Sequence, residues 1–219
     1  MFFLLYTDVM SNNLIIVDHP LVQHKLGILR DQTTPTVLYR MVTKEITVLL
    51  AYRLLETLPL VDKPIKTPME GMTAKSLPAY DPAIVSILRA GNGFLDGLVD
   101  MLPNAKIGFI GLARNAETHE AEFYYEKLPD DLGKRPVFLV DPMLATGGSA
   151  IDAVNRLKSK GATDIRFLTL IAAPEGLAAF HAVHPDVVVV TASLDRQLND
   201  TKYIMPGLGD AGDRYYGTN

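Results

Sequence analysis

Five apolar, β-rich runs recur along the second part of the chain, at Ala83–Leu88, Ile107–Leu112, Val137–Val140, Ile165–Ala172 and Val187–Val190. Helical stretches lie between several of them, at Asn92–Met101, Ser149–Ser159 and Glu175–Val183. The runs are near-continuous rather than alternating apolar with polar. Strands of that kind are buried on both faces, and interleaved helices supply the cover. The fold class that follows is α/β, a parallel sheet flanked by helices. Ligands in such sheets bind beyond the carboxyl ends of the strands, so the residues just after each run are the ones to read for function.

Those positions hold Arg89-Ala90-Gly91, Arg114-Asn115, Asp141–Ser149 and Ala173–Gly176. After Val140 the chain reads Asp141-Pro142-Met143-Leu144-Ala145-Thr146-Gly147-Gly148-Ser149 and then turns helical. A buried strand that stops at an acid and enters a helix through Thr-Gly-Gly-Ser places unpaired N–H groups and the positive end of a helix dipole together, which suits phosphate. An arginine on a tight turn after a strand suits a diphosphate, because its planar fork pairs with two oxygens. Gly91 beside Arg89 allows an unusual backbone or a close approach. Two arginines and one phosphate-type loop on one rim point to a single polyanionic ligand.

A chain of 219 residues, 48% hydrophobic, fits one domain, or one domain with an appended arm. The net charge is −4, so no global basic field draws in nucleic acid or an anionic membrane. An anionic substrate then needs local Arg and Lys or a metal ion. Cysteine is absent, which removes disulfides, Cys-based zinc sites and Cys nucleophiles and is compatible with a reducing cytoplasm. The apolar start, Met1–Met10, is too short for a membrane span and lacks a basic leader region. His181 and His184 sit three apart on a predicted helix without an H-E-x-x-H string and read as a surface face rather than metal ligands.

Toward the N-terminus, Asp18-His19-Pro20 reads as a helix start, and Thr34-Pro35 opens a longer helix with Met41, Ile46, Leu49, Leu50 and Leu54 on its apolar stripe and Pro59 as its end. Residues 60–81 carry three prolines and one glycine and read as an arm or hairpin. The C-terminal segment, Tyr203-Ile204-Met205-Pro206-Gly207-Leu208-Gly209-Asp210-Ala211-Gly212-Asp213, is Gly-rich and offers backbone groups with little side-chain obstruction.

D-P-M-L-A-T-G-G-S resembles the phosphoribosyl-diphosphate (PRPP) loop of the type I phosphoribosyltransferases, and with Pro142 in place of a second acid it resembles the uracil phosphoribosyltransferase family in particular. I-L-R-A-G resembles that family's diphosphate loop, Arg114 its second diphosphate arginine, residues 115–128 its flexible hairpin, and P-G-L-G-D-A-G its uracil segment. The resemblance runs from about Leu14 to the last residue, with residues 1–13 left as an N-terminal extension or added strand, and with Asn92 and the arm as departures.

It implies a single phosphoribosyltransferase domain over 14–219, with 199–219 as base-binding segment, and conversion of uracil and PRPP to UMP and diphosphate in pyrimidine salvage. It implies Asp141 and Asp210 as catalytic residues and PRPP contacts from Arg89, Arg114, residues 141–149 and Asp210. Uracil is assigned to Ile204, Gly209, Asp210 and Ala211, whose backbone groups would read its acceptor–donor–acceptor edge. Mg²⁺ is expected, bound mainly through PRPP rather than by the protein. A homo-oligomer, dimer or higher, is expected in the cytoplasm, with GTP a candidate effector that no motif locates. Two alternatives stay open: a phosphoribosyltransferase for another base, and a protein of this fold that binds nucleic acid as a regulator.

Overall fold

The computed structural model describes residues 9–11, 13–78, 81–114 and 121–218. The elements run β1 (Val9–Ser11), β2 (Leu14–Ile16), α1 (Pro20–Arg30), α2 (Thr36–Leu55), β3 (Val61–Lys66), β4 (Gly71–Ser76) and β5 (Ala83–Leu88). A 3-10 turn over Ala90–Phe94 leads into α3 (Leu95–Met101), β6 (Lys106–Arg114), β7 (Ala121–Lys127), β8 (Val137–Val140), β9 (Met143–Leu144) and α4 (Gly148–Ser159). Then follow β10 (Ile165–Ala172), α5 (Pro174–Val183), β11 (Val188–Leu194), β12 (Gln197–Leu198), β13 (Ile204–Met205) and α6 (Ala211–Tyr216).

The main sheet has the order β1-β2-β11-β10-β8-β5-β6-β7, with β9 paired to β10. From β2 to β6 every pairing is parallel, and β1 and β7 close the two edges antiparallel. The expected parallel sheet is therefore present, and three of the five predicted runs coincide with strands β5, β8 and β10 to the residue. Alternate residues of β8 face opposite layers. Phe138 and Val140 join a core with Leu26, Ile46, Leu50, Leu54 and Leu98 of α1–α3. Val137 and Leu139 join one with Ala153, Val154 and Phe180 of α4 and α5. Helices thus cover both faces, as fully apolar strands require.

Helix α1 starts where its cap places it. His19 accepts the Leu21 N–H through Nδ1 at 3.1 Å, with Pro20 as the first helical residue. On α2 the predicted stripe needs correcting at Met41, which is 56% exposed. The buried face carries Tyr39, Val42, Thr43, Ile46, Thr47, Leu50 and Leu54. Thr43 and Thr47 hide their hydroxyls by bonding the carbonyls of Tyr39 and Thr43, so a count of apolar residues misses them. Residues 60–81 include the two-stranded hairpin β3–β4.

His184 also departs from expectation. It ends α5, turns inward and is 2% exposed, with Nε2 3.2 Å from the Ile151 carbonyl and Nδ1 3.2 Å from Lys158 Nζ. Burial holds its pKa below the ordinary imidazole value. Its contacts are to α4, so it is a packing histidine rather than a surface one.

Candidate active site

The string Asp141–Ser149 divides into two parts. The Pro142 carbonyl accepts N–H bonds from Leu170 (3.1 Å) and Ile171 (3.2 Å), and Met143–Leu144 pair as β9 with β10. Leu144 is 1% exposed, so only its backbone can serve a ligand. Thr146–Ser149 then bend over the strand ends, and α4 begins with Gly147 as its N-cap at φ 86° and the Ile151 N–H bonded to the Gly147 carbonyl at 2.9 Å. A cavity of about 80 Å³ lies among Asp141, Met143–Leu144 and Ala145–Ala150. It faces the first turn of a twelve-residue helix with unpaired N–H groups and a positive dipole end. Arg156 and Lys158 complement the opposite end of that dipole.

Asp141 follows β8 directly, and its N–H is bonded to the Leu168 carbonyl at 3.2 Å. Burial of its carboxyl against the strand ends pushes its pKa up to about 8, which a bond from the Met143 N–H only partly offsets. A carboxyl this displaced, beside the N-terminus of a helix, is a mark of a functional site.

Arg89 leaves β5 through a cis peptide with Leu88 and is exposed. Its Nη2 lies 3.2 Å from Asp213 Oδ1, its guanidinium carbon stands 5.8 Å from the centre of the Tyr216 ring, and its carbonyl accepts the Tyr216 hydroxyl at 3.0 Å. Gly91 makes the close approach its sequence position allows, since a Cβ there would sit 2.5 Å from the Val140 carbonyl oxygen. Asn92, the departure in this loop, accepts the Ser86 hydroxyl at 2.8 Å and so serves the loop's footing. Arg114 closes β6, opposite Ala121 of β7. Its side chain and residues 115–120 lie outside the described residues, as do residues 1–8 and 12 of the N-terminal extension. The remainder of the expected hairpin is edge strand β7.

The base segment contains a helix the sequence reading lacked. Asp210 caps α6 by accepting the Asp213 N–H at 2.9 Å through Oδ1, and Gly217 ends it in the left-handed region at φ 69°. The signals were present: an acid at the N-cap, a second acid three positions on and a glycine one turn later. Ile204 lies buried in β13 and Ala211 is buried at the start of α6, whereas Gly209 and Asp210 are exposed. A cavity of about 400 Å³ borders Gly207–Asp210, with Arg30, Gln32 and Arg214 on its far walls.

Three residues that sequence reasoning missed shape this segment. Arg30 pairs with Asp195 through two contacts, 2.7 and 2.5 Å, and bonds the Gly207 carbonyl at 2.7 Å. Arg214 bonds the carbonyls of Leu208 (2.8 Å), Asp31 (2.5 Å) and Leu29, and lies 4.6 Å from the centre of the Tyr39 ring. Burial pushes the Tyr39 phenol up to about 12. Apart from Leu208, the partners of Arg30 and Arg214 lie at the opposite end of the chain, so no local spacing announces them.

All these loops rise from the same rim. β5, β8, β10 and β11 are neighbours with parallel strand direction, and Arg89, Asp141, Ala173–Gly176 and Asp195 follow their carboxyl ends. Among the described residues no group of three Asp, Glu or His side chains could hold a metal ion. Among them, too, no helix is long and apolar enough to cross a membrane.

The sequence profile of the family described as Uracil phosphoribosyltransferase matches residues 16–218. The chain is 52% identical over 203 residues to the Uracil phosphoribosyltransferase of Levilactobacillus brevis, covering 93% of this chain and 97% of that one. It is 55% identical over 203 residues to that of Mesorhizobium japonicum, with coverage of 93% and 97%. A solved protein structure from Aquifex aeolicus aligns with a TM-score of 0.89 at 37% identity, covering 94% of this chain and 99% of that one. The adenine phosphoribosyl transferase of Trypanosoma brucei shares the fold, with a TM-score of 0.57 at 16% identity and coverage of 90% and 89%.

Proposed function

The chain belongs to the uracil phosphoribosyltransferase family, and from that we propose that it converts uracil and PRPP to UMP and diphosphate at the carboxyl rim of its sheet. The observation that carries the assignment of roles is the junction of loops there. The phosphate-type loop opens α4, and the base segment touches the diphosphate-type loop through Arg89 and Asp213 at 3.2 Å.

The reaction forms the bond from uracil N1 to the anomeric carbon and breaks the carbon–oxygen bond to diphosphate, which leaves with the electron pair. Charge develops on the ribose ring and on the leaving group, so positioning and fixed charges do most of the work. Thr146–Ser149 cradle the 5′-phosphate on the N–H groups that open α4. Arg89 and Arg114 take the diphosphate. Asp141 orients the ribose hydroxyls, and positive charge growing at the anomeric carbon favours its ionised form. Asp210, with Oδ1 fixed on α6, holds water or the diphosphate, or accepts the N1 proton.

Among the described residues no three acidic side chains of the rim gather into a cage. A Mg²⁺ here would draw most of its oxygen ligands from PRPP and water, and Asp210 would hold one of those waters. Such an ion, when bound, neutralises charge on the diphosphate. Incubation with uracil, PRPP and Mg²⁺ tests the activity by the appearance of UMP. Cytosine as competitor tests the base: it presents an amino donor where uracil has an acceptor, and mispairing costs on the order of a hundredfold in turnover. Comparable turnover of the two bases would remove the assignment of the segment.

A homo-oligomeric state is supported by the exposed Val61, Ile65, Met69 and Met72 of the β3–β4 hairpin, and sedimentation tests it. Control by GTP rests on the resemblance alone, and a cytoplasmic location on that and the absence of cysteine. Added GTP that leaves turnover unchanged would remove the first.

A further inference from the structure

We propose that Arg30 and Asp195 are positioning residues for base selection: they hold the backbone of Gly207 by its N–H and its C=O and so set the edge that the base segment presents. The proposal rests on the reading of Ile204, Gly209 and Ala211 as the uracil contacts. Gly207 donates its N–H to Asp195 Oδ2 at 3.0 Å, and its carbonyl accepts from Arg30 Nη1 at 2.7 Å. Arg30 and Asp195 are themselves joined fork to fork, at 2.7 and 2.5 Å, and Ser193 donates its hydroxyl to Asp195 Oδ1 at 2.7 Å.

Both carboxylate oxygens of Asp195 are thus engaged, and its side chain is 1% exposed. The anchor points are stiff. Arg30 is the last residue of α1, and the Asp195 N–H is bonded to the Ala172 carbonyl at the end of β10, at 2.8 Å. Neither residue belongs to the phosphate-type or diphosphate-type loops. The N–H and C=O of Gly207 belong to the two peptide planes on either side of its Cα, so partners on rigid elements that hold both fix its φ and ψ. The next backbone groups along the chain, at Gly209 and Ala211, then keep one order of donors and acceptors. That order is what separates uracil from cytosine, which has the same ring size. A guanidinium–carboxylate fork fixes orientation in its plane, which a point charge does not. Burial alone would raise the pKa of Asp195, but Arg30 and Ser193 hold it below the ordinary carboxylate value, so the fork persists through the neutral range.

The test uses the full chain with three variants: Arg30→Lys, Asp195→Asn and the double Arg30→Met/Asp195→Asn. The double variant removes the buried charge together with its partner and so stays foldable where a single change fails. Expected for the double variant is a KM for uracil raised about tenfold or more, from the loss of two charge-assisted bonds to the Gly207 backbone. PRPP binding measured by calorimetry without uracil stays within about twofold, because the phosphate loop is untouched. Arg30→Lys keeps the charge but not the fork and falls between wild type and the double variant. Hydrogen exchange at the Gly207 amide speeds up in all three. An unchanged KM for uracil overturns the proposal, as do equal losses of uracil and PRPP binding with a lower melting temperature. A wild-type protein that makes no UMP would overturn the reading of the site instead, and Gly207 exchange would still judge the grip.

Discussion

Gly147 and Gly176 stand back to back where α5 meets the phosphate-type loop. A Cβ on Gly147 would lie 2.9 Å from the Gly176 carbonyl oxygen. A Cβ on Gly176 would meet the Leu144 carbonyl oxygen at 2.8 Å and that of Ala145 closer still. All three obstacles are backbone, which cannot swing aside as a side-chain end can. Gly147 is also at φ 86°, a conformation that side chains resist. The start of α5 therefore braces the loop from behind.

Gly176→Ala should push that brace outward and displace Ala145–Gly147 by a fraction of an ångström. A misplacement of that size weakens a positioned phosphate on the order of tenfold to a hundredfold. Steady-state kinetics should show it as a raised KM for PRPP with little change for uracil. Normal PRPP use by a folded variant would mean the loop does not need the brace.

Asp141→Asn separates chemistry from stability because the two move in opposite directions. The folded-state pKa of Asp141 is about 8, above its ordinary 3.8. The folded protein therefore holds a proton the unfolded chain releases. The stability this supplies is full below pH 3.8 and is lost as pH rises through 8. Asparagine keeps the shape and carries no charge to desolvate. Its melting temperature should match wild type near pH 4 and exceed it by several degrees at pH 8. Turnover should fall by about a hundredfold or more, since charge beside the anomeric carbon is gone. A variant that loses melting temperature and activity together would make Asp141 a structural cap.

Much of the fold was legible because short, β-rich apolar runs with helices between them read as buried parallel strands, and β5, β8 and β10 have their predicted bounds. The loops at their ends were legible for the same reason: once Val140 ends a buried strand, Asp141 must face the rim. What escaped was non-local. Arg30 gives no local sign that it reaches Asp195, and nothing near Arg214 points to the carbonyls of Leu29 and Asp31. Helix α6 escaped because its glycines drew the reading toward a loop, although Asp210 and Gly217 are its caps. Met41 was misplaced because buried threonines with satisfied hydroxyls shift the inward face of α2 by about one residue.

Arg89→Lys tests the fork rather than the charge. The guanidinium is exposed and its contact with Asp213 is long, so little folding energy is at stake. Lysine cannot make the planar two-bond contact with a diphosphate. Calorimetry should show PRPP affinity reduced by about tenfold with an unchanged melting temperature. Equal affinity would take Arg89 out of the site.

The last prediction concerns the contact between the C-terminal helix and the diphosphate-type loop. On the sequence alone, the C-terminal segment holds the uracil contacts and one PRPP contact, Asp210, while Arg89 lies elsewhere on the rim, so its loss leaves PRPP binding partly intact. In the fold, α6 leans on the diphosphate-type loop: Tyr216 donates its hydroxyl to the Arg89 carbonyl at 3.0 Å, and Asp213 faces the guanidinium. A Cβ on Gly212 would come within 3.6 Å of Ala90. Removing Ala211–Asn219 should therefore weaken PRPP as well as uracil. Tyr216→Phe isolates the effect, since it deletes one donor and leaves the ring against Arg89. A single partly exposed hydrogen bond is worth about 0.5–1 kcal/mol, so PRPP affinity should fall about two- to fivefold. The KM for uracil should hold, because the Tyr216 hydroxyl is bonded to the Arg89 carbonyl rather than to the base segment. Calorimetry with PRPP alone decides it: an affinity equal to wild type would mean that the C-terminal helix and the diphosphate-type loop work independently.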